Sequence, residues 1–270
     1  MKRICVIGLG TVGFPTAVYI KRHGFDVWGY DVKPINSKFL NQTTTNWNDI
    51  PKNIDVYVIC VNTGLDTSEN IDIGNIYDAC EKISKSNPNA LISIESTVPV
   101  GTCRNITEKF GFTYVVHCPH RFWRENPKKY GVKQLRVLGA INNKALKKGL
   151  EFYRRLKIPI HVAPKIEIAE LCKIAENTYR FVQIAFAEEL KMLCDKLGLD
   201  FEEVRKACNT KWNIEILEAR NGIGGECLPK DTKYSLITAE NLGLSLDIVK
   251  AAIKADEKYK MWIRGIVCER

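Results

Sequence analysis

Short apolar runs rich in β-branched residues recur through the first 165 positions, at residues 4–7, 27–30, 56–61, 91–94, 114–116, 135–138 and 158–162. Between them the spacing of apolar positions lengthens to a helical period, near residues 12–23, 73–84, 103–110 and 144–156. Buried runs of this length, separated by helices, predict a parallel sheet covered on both faces. The pattern then changes. Residues 166–197 contain no glycine or proline, and helix-compatible residues continue for 32 positions. At 1.5 Å per residue that is a helix of roughly 45–50 Å. Its apolar residues lie around much of the circumference, as in a helix packed centrally or against a twin from another subunit. Shorter helices are expected at 201–208, 231–242 and 246–263. The expected architecture is an α/β Rossmann-type parallel sheet domain (1–165), then a long central helix and an all-helical domain (166–270).

Composition narrows the class. With 45% hydrophobic and 26% charged residues the chain is an ordinary globular one, and no apolar run is long enough to span a membrane. The start, Met1 to Ile7, reads as a first strand, because the glycines from Gly8 end the apolar run too early for an export signal. Ten cysteines are scattered without a CxxC pair, which fits a reducing, cytoplasmic setting better than a disulfide framework. The formal charge of +9 points to anionic partners. The basic residues form no aromatic-interleaved cluster, so phosphate-bearing small molecules are expected and nucleic acid is not. No membrane partner is expected either.

Two stretches carry chemistry. The first follows the opening strand: Gly8-Leu9-Gly10-Thr11-Val12-Gly13, a G-x-G-x-x-G turn leading into a helix. Such glycines give a tight turn, a close backbone approach to a pyrophosphate and tight helix–strand packing. Asp31 ends the next strand at the spacing where a carboxylate accepts ribose hydroxyls, which favours NAD over NADP despite Lys33 nearby. Polar residues after later strands, Val61-Asn62-Thr63 and Ser96-Thr97, lie where open α/β sheets bind ligands.

The second stretch is Gly222-Ile223-Gly224-Gly225-Glu226-Cys227-Leu228-Pro229-Lys230-Asp231. Helix signals begin at Pro229, so Cys227 is expected beside a helix N-terminus and a lysine, where negative charge on sulfur is favoured. That makes Cys227 a candidate covalent catalyst. On the long helix, Lys173 and Asn177 are four residues apart and share a face, an arrangement able to hold a water or a developing alkoxide.

Taken in order, Gly8–Gly13 with Pro15, Ser96 to Thr102, Glu170 with Lys173 and Asn177, and Gly224 to Asp231 resemble the UDP-glucose/GDP-mannose dehydrogenases over nearly the whole chain. The resemblance implies oxidation of the C6 alcohol of a nucleotide sugar to a carboxylate, with two NAD⁺ consumed. It makes Cys227 the nucleophile that traps the aldehyde and becomes a thioester. Lys173 would stabilise the oxyanion, Asn177 orient the same oxygen, Asp231 assist proton handling and Lys230 contact the sugar beside Gly224 and Gly225. Thr97 falls near the expected catalytic water. A homodimer through the 166–197 helix is also implied.

The chain departs from that pattern twice. His120 stands where the family usually has a glutamate, a favoured base for thioester hydrolysis; His120 itself, Glu125, or loss of the step are the alternatives. His117, Cys118 and His120 lack a fourth ligand, and no metal is expected. The sequence also stops at Arg270, where family members generally continue into a further α/β domain: either it is a truncated piece, or a partner chain supplies the missing part, or the substrate is held differently. Two other readings share these motifs: a two-electron β-hydroxyacid dehydrogenase, which has no use for Cys227, and a non-catalytic nucleotide-sugar or dinucleotide sensor.

Overall fold

The computed structural model describes residues 1–265. Its strands are β1 (Arg3–Ile7), β2 (Asp26–Tyr30), β3 (Thr43–Thr44), β4 (Val56–Ile59), β5 (Gly64–Leu65), β6 (Ile71–Asp72), β7 (Leu91–Ile94), β8 (Val115–His117), β9 (Arg136–Ala140) and β10 (Ile160–Val162). Its helices are α1 (Gly13–Arg22), α2 (Gly74–Ser86), α3 (Thr102–Phe110), α4 (Asn143–Arg155), α5 (Ile166–Leu197), α6 (Phe201–Cys208), α7 (Cys227–Glu240) and α8 (Asp247–Ile263). The chain forms two compact units, Met1–Lys173 and the part from Ile174 onward. None of the described helices is long and apolar enough to cross a membrane.

In the first unit eight strands form one sheet in the order β10-β9-β8-β7-β4-β1-β2-β3. Both faces are buried. Ile4 and Val6 pack into one core with Ala17, Ile20 and Phe152, while Cys5 and Ile7 point into the other with Ile76, Cys80 and Ile106. This alternation into two cores is why β1 is apolar at every position from Ile4 to Ile7. The chain runs outward from β1 to β2, then returns to β4 on the other side of β1. That reversal makes the carboxyl ends of β1 and β4 a topological switch point.

Within this sheet one strand pair differs from the all-parallel expectation; β5 and β6 form a separate antiparallel pair. β8 and β9 are antiparallel, with Val116 opposite Ala140. Their connection, residues 118–135, contains no helix, so nothing carries the chain back to the starting edge for a parallel crossover. The β9–β10 pair is again parallel, with α4 as its crossover.

The 32-residue α5 forms over the predicted span. Near its start, Glu170 accepts N–H bonds from Gly101 at 2.6 Å and Cys103 at 2.8 Å. These are orphan donors at the start of α3, which has no side-chain cap of its own. In the second unit α6 is capped by Asp200, which accepts from Glu202 and Glu203 N–H. Small apolar clusters there join α5 to α8 through Phe181, Ala185 and Ala252, and to α6 through Ala187, Cys194 and Phe201.

Candidate active site

The loop after β1 is built by exclusion. Gly8 has φ +84°, and a Cβ there would lie 2.7 Å from the Cys60 carbonyl oxygen. A Cβ on Gly13 would lie 1.8 Å from the Gly8 carbonyl oxygen, so only glycine lets α1 start so close to the loop. Gly10, by contrast, has open space where a side chain would be, leaving its backbone free for close approach by a ligand. Val12 precedes α1 without a side-chain cap; the Phe14 N–H goes to the Gly10 carbonyl and Pro15 has none, so the start of the helix faces the loop with few competing donors. Asp31 secures the turn from β2: its carboxylate accepts Leu9 N–H at 2.6 Å and Lys33 N–H at 2.9 Å. A half-exposed carboxylate with further lone pairs, beside an uncrowded glycine backbone, fits the ribose and pyrophosphate of NAD. Lys33 itself is exposed.

The loops after β4 and β7 are tied together. Thr63 donates to the Thr97 carbonyl at 2.8 Å and Ser96 donates to the Val61 carbonyl at 2.7 Å. Asn62 accepts from Asn75 through its backbone oxygen. These contacts bring the predicted residues at 61–63 and 96–97 into one edge beside the switch point. A cavity of about 910 Å³ opens elsewhere, on the flank of α1. It touches Gly10 and Thr11, and Phe14, Arg22 and Arg124 also line it, but Asp31 and residues 61–63 do not.

Behind this edge lies a charged cluster inside the first unit. Glu95, at the end of β7, is 4% exposed, and Arg136 of β9 is 1% exposed. Arg136 Nη1 donates to Glu95 Oε2 at 3.0 Å and Nη2 to the Val132 carbonyl at 2.9 Å. Tyr153 donates to Glu95 Oε1 at 2.6 Å and receives a bond from Ser93 at 2.6 Å. Burial alone pushes the Glu95 carboxyl up, but Arg136 and then His120 outweigh it and hold it down at about 2. The pair is therefore ionised at neutral pH.

His120 belongs to this cluster. Its Nε2 contacts Glu95 Oε2 and lies 3.1 Å from Thr16 Oγ1, while Thr16 donates to the Val12 carbonyl. Burial, reinforced by Arg136, lowers the imidazole to about 4 against the pull of Glu95. A neutral ring beside an ionised carboxylate carries its proton on Nε2, leaving Nδ1 bare; Nδ1 is buried with no partner among the described residues. Glu125 lies exposed in the 118–135 connection. Cys60, Glu95 and His120 are close enough to share a metal ion. Arg136 already balances Glu95, and burial drives the Cys60 thiol well above its ordinary range, so this donor set suits a cation poorly.

In the second unit Cys227 is the first residue of α7 and is exposed. The helix begins four residues before the expected 231, because Pro229 is tolerated in a first turn where no N–H bond is needed. Asp231, 1% exposed, faces inward from the next turn. Asn177 Nδ2 donates to its Oδ2 at 2.5 Å, and Lys230 Nζ lies 3.0 Å from its Oδ1. Asn177, Lys230 and Asp231 thus form one connected group, with Gly224 and Gly225 exposed just ahead. Lys173 is half-buried on α5, one turn before Asn177. Sequence reasoning named most of these residues but not Thr16, Arg136 or Tyr153. Their roles depend on strand and helix pairings that no local motif encodes.

Known proteins resemble this chain in sequence and fold. Residues 32–157 match the model of the UDP-glucose/GDP-mannose dehydrogenase family NAD binding domain, and residues 167–258 match that family's central domain. A UDP-N-acetyl-D-mannosamine dehydrogenase of Methanococcus maripaludis is 33% identical over 89% of this chain and 62% of its own length. One from Methanococcus vannielii is 30% identical over 99% of this chain and 68% of its own. The solved structure of a UDP-D-ManNAc dehydrogenase from Pyrococcus horikoshii superposes with a TM-score of 0.87 at 28% identity, covering 98% of this chain and 70% of that one. The chain therefore spans about two thirds of the length of such relatives. Its two matched domains, in order, make it a member of the UDP-glucose/GDP-mannose dehydrogenase family.

Proposed function

We propose that this protein oxidises the C6 alcohol of a nucleotide sugar to the carboxylate, with Cys227 holding the sugar between two oxidations. The observation that carries this reading is an exposed thiol at the first position of α7, followed one turn on by a buried carboxylate bound to Asn177 and Lys230. The relatives that act on UDP-N-acetyl-D-mannosamine make that sugar the first substrate to test.

NAD⁺, held by Gly8, Gly10, Thr11, Val12, Gly13 and Asp31 with the 61–63 and 96–97 edge, supplies a hydride acceptor for each oxidation. The first oxidation takes the alcohol to an aldehyde. Cys227 Sγ then adds to the aldehyde carbon as a thiohemiacetal, which the second oxidation converts to a thioester. Water cleaves the C–S bond, giving the acid and returning the thiol. Asn177 commits its NH₂ to Asp231, so its carbonyl oxygen is the free end for orienting a water or substrate hydroxyl. Lys173 balances the oxyanion formed when sulfur adds, and Lys230, pinned by Asp231, contacts the sugar. Thr97 orients the hydrolytic water.

His120 is neutral throughout the physiological range, so it acts there as a hydrogen-bonding group and a weak base. Hydrolysis is then the slow step, with Glu125 the other carboxylate available to it. The apolar residues that α5 leaves exposed, including Leu171, Tyr179, Phe186 and Leu193, favour a homodimer formed along that helix.

The test follows NADH against a panel of UDP- and GDP-sugars, with covalent adducts on Cys227 read by mass spectrometry. Two NADH per sugar, a thioester that accumulates early, and loss of about 10³-fold or more in acid formation for Cys227→Ser are expected. Unchanged turnover in Cys227→Ser would remove the thioester route and leave a two-electron dehydrogenase.

A further inference from the structure

α8 carries an ion pair that the chemistry above does not use. Asp256 Oδ1 accepts the Ile223 N–H at 2.7 Å, and Asp256 Oδ2 lies 2.7 Å from Lys260 Nζ. The same Nζ donates to the Ile223 carbonyl at 2.7 Å. One ion pair thus holds both backbone polar groups of one residue. That residue is buried, 3% exposed, and stands four positions before Cys227. Gly222, at φ +86°, is shaped to the same lysine: a Cβ there would lie 2.5 Å from the Lys260 side chain.

Beneath the pair lies Glu188 of α5, with no exposed surface and neither carboxylate oxygen hydrogen-bonded among the described residues. Its charged and titratable neighbours are Asp256, Tyr259 and Lys260 of α8, and Tyr259 is tied by its hydroxyl to the Arg220 carbonyl.

We propose that Asp256 and Lys260 are positioning residues that clasp Ile223 and so place the loop carrying Cys227, and that the buried Glu188 carboxyl makes this clasp pH-sensitive. The catalytic consequence rests on the reading of Cys227 as nucleophile; the clasp itself does not. With Glu188 protonated, one carboxylate faces one ammonium and Lys260 can also serve the Ile223 carbonyl. Burial and then Asp256 raise Glu188 to about 7. Ionisation above that point sets two buried carboxylates against one ammonium and draws Lys260 from the carbonyl. The clasp is therefore tight below about pH 7 and loosens above it.

Amide hydrogen exchange at Ile223 tests this, corrected for intrinsic exchange, together with the iodoacetamide alkylation rate of Cys227 by mass spectrometry. The wild type should lose about tenfold of its Ile223 protection between about pH 6 and pH 8.5, while Glu188→Gln stays protected throughout. Lys260→Met should expose Ile223 at every pH and shift Cys227 alkylation about threefold or more, with Lys260→Arg restoring both. If Lys260→Met fails to fold, the near-isosteric Asp256→Asn should give the same loss. A Lys260→Met or Asp256→Asn protein within about twofold of wild type, or a Glu188→Gln protein with the wild-type pH response, overturns the proposal. Neither readout needs turnover, and Cys227→Ser leaves Ile223 exchange unchanged, so failure of the clasp is distinguishable from failure of the nucleophile.

Discussion

The two glycine-rich loops of this protein are fixed by opposite means. The Gly8–Gly13 loop is held chiefly by backbone packing: Gly8 and Gly13 abut the carbonyls of Cys60 and Gly8, where a side chain has no room, and Asp31 adds one bond to Leu9 N–H. The Gly222–Gly225 loop is held by side chains, chiefly the Asp256–Lys260 pair on Ile223, while Gly224 and Gly225 face open space. Such packing tolerates no added atom at Gly8 or Gly13. A side-chain clasp leaves Gly224 open to substitution but fails when one charge is changed. The difference suits the two tasks proposed above: a cofactor cradle serves every cycle alike, whereas the proposed nucleophile must be released from each product.

The comparison breaks most clearly at Gly13. Gly13→Ala places a methyl inside the Gly8 carbonyl, and should cost about 4–5 kcal/mol in urea unfolding and abolish NAD binding by calorimetry. A variant that binds NAD normally would show the cage to be adaptable. Next comes Arg136→Met, which strands the ionised Glu95 in the interior. A loss of about 3–5 kcal/mol is expected, and a loss below about 1 kcal/mol would mean that water reaches the carboxylate.

Glu188→Gln acts on the pH profile instead. A buried acid raised from its unfolded value near 4.3 to about 7 contributes stability below the lower value that is lost as pH rises to the higher one. The wild type should lose up to about 4 kcal/mol over that window relative to Glu188→Gln, and parallel curves for the two proteins would remove Glu188 from the account. The smallest effect is expected at Gly224→Ala, within about 0.5 kcal/mol of wild type in stability. Its KM for the nucleotide sugar should nevertheless rise if the sugar lies against that backbone, and an unchanged KM would place the sugar elsewhere.

Most of the first unit was legible because its signals are local. Apolar four-residue runs, the spacing from Gly8 to Asp31 and the unbroken 166–197 stretch each follow from neighbouring residues. The antiparallel β8–β9 pair was not legible, since it follows from the lack of a helix in a connection whose glycine, prolines and charges gave no clear period. Glu95 and Arg136 are separated by 41 positions and meet only through sheet pairing. His120 could be read as a candidate base, but its partner could not, and Glu95 and Arg136 decide that the ring stays neutral. Glu188 looks like any polar residue on a helix until α8 is packed over it. In the candidate site, residue types were legible and the groups that set their charge were not.

The sulfur chemistry of the chain divides sharply. Burial raises the thiols of Cys5, Cys60, Cys80, Cys103 and Cys118 above their ordinary range, whereas Cys227 stands exposed. Peroxide and other electrophiles react with accessible thiolate, so oxidative damage should concentrate on the sulfur proposed as nucleophile. On the proposed mechanism, sugar bound at that atom would shield it, making substrate supply a defence against inactivation as well as a source of product.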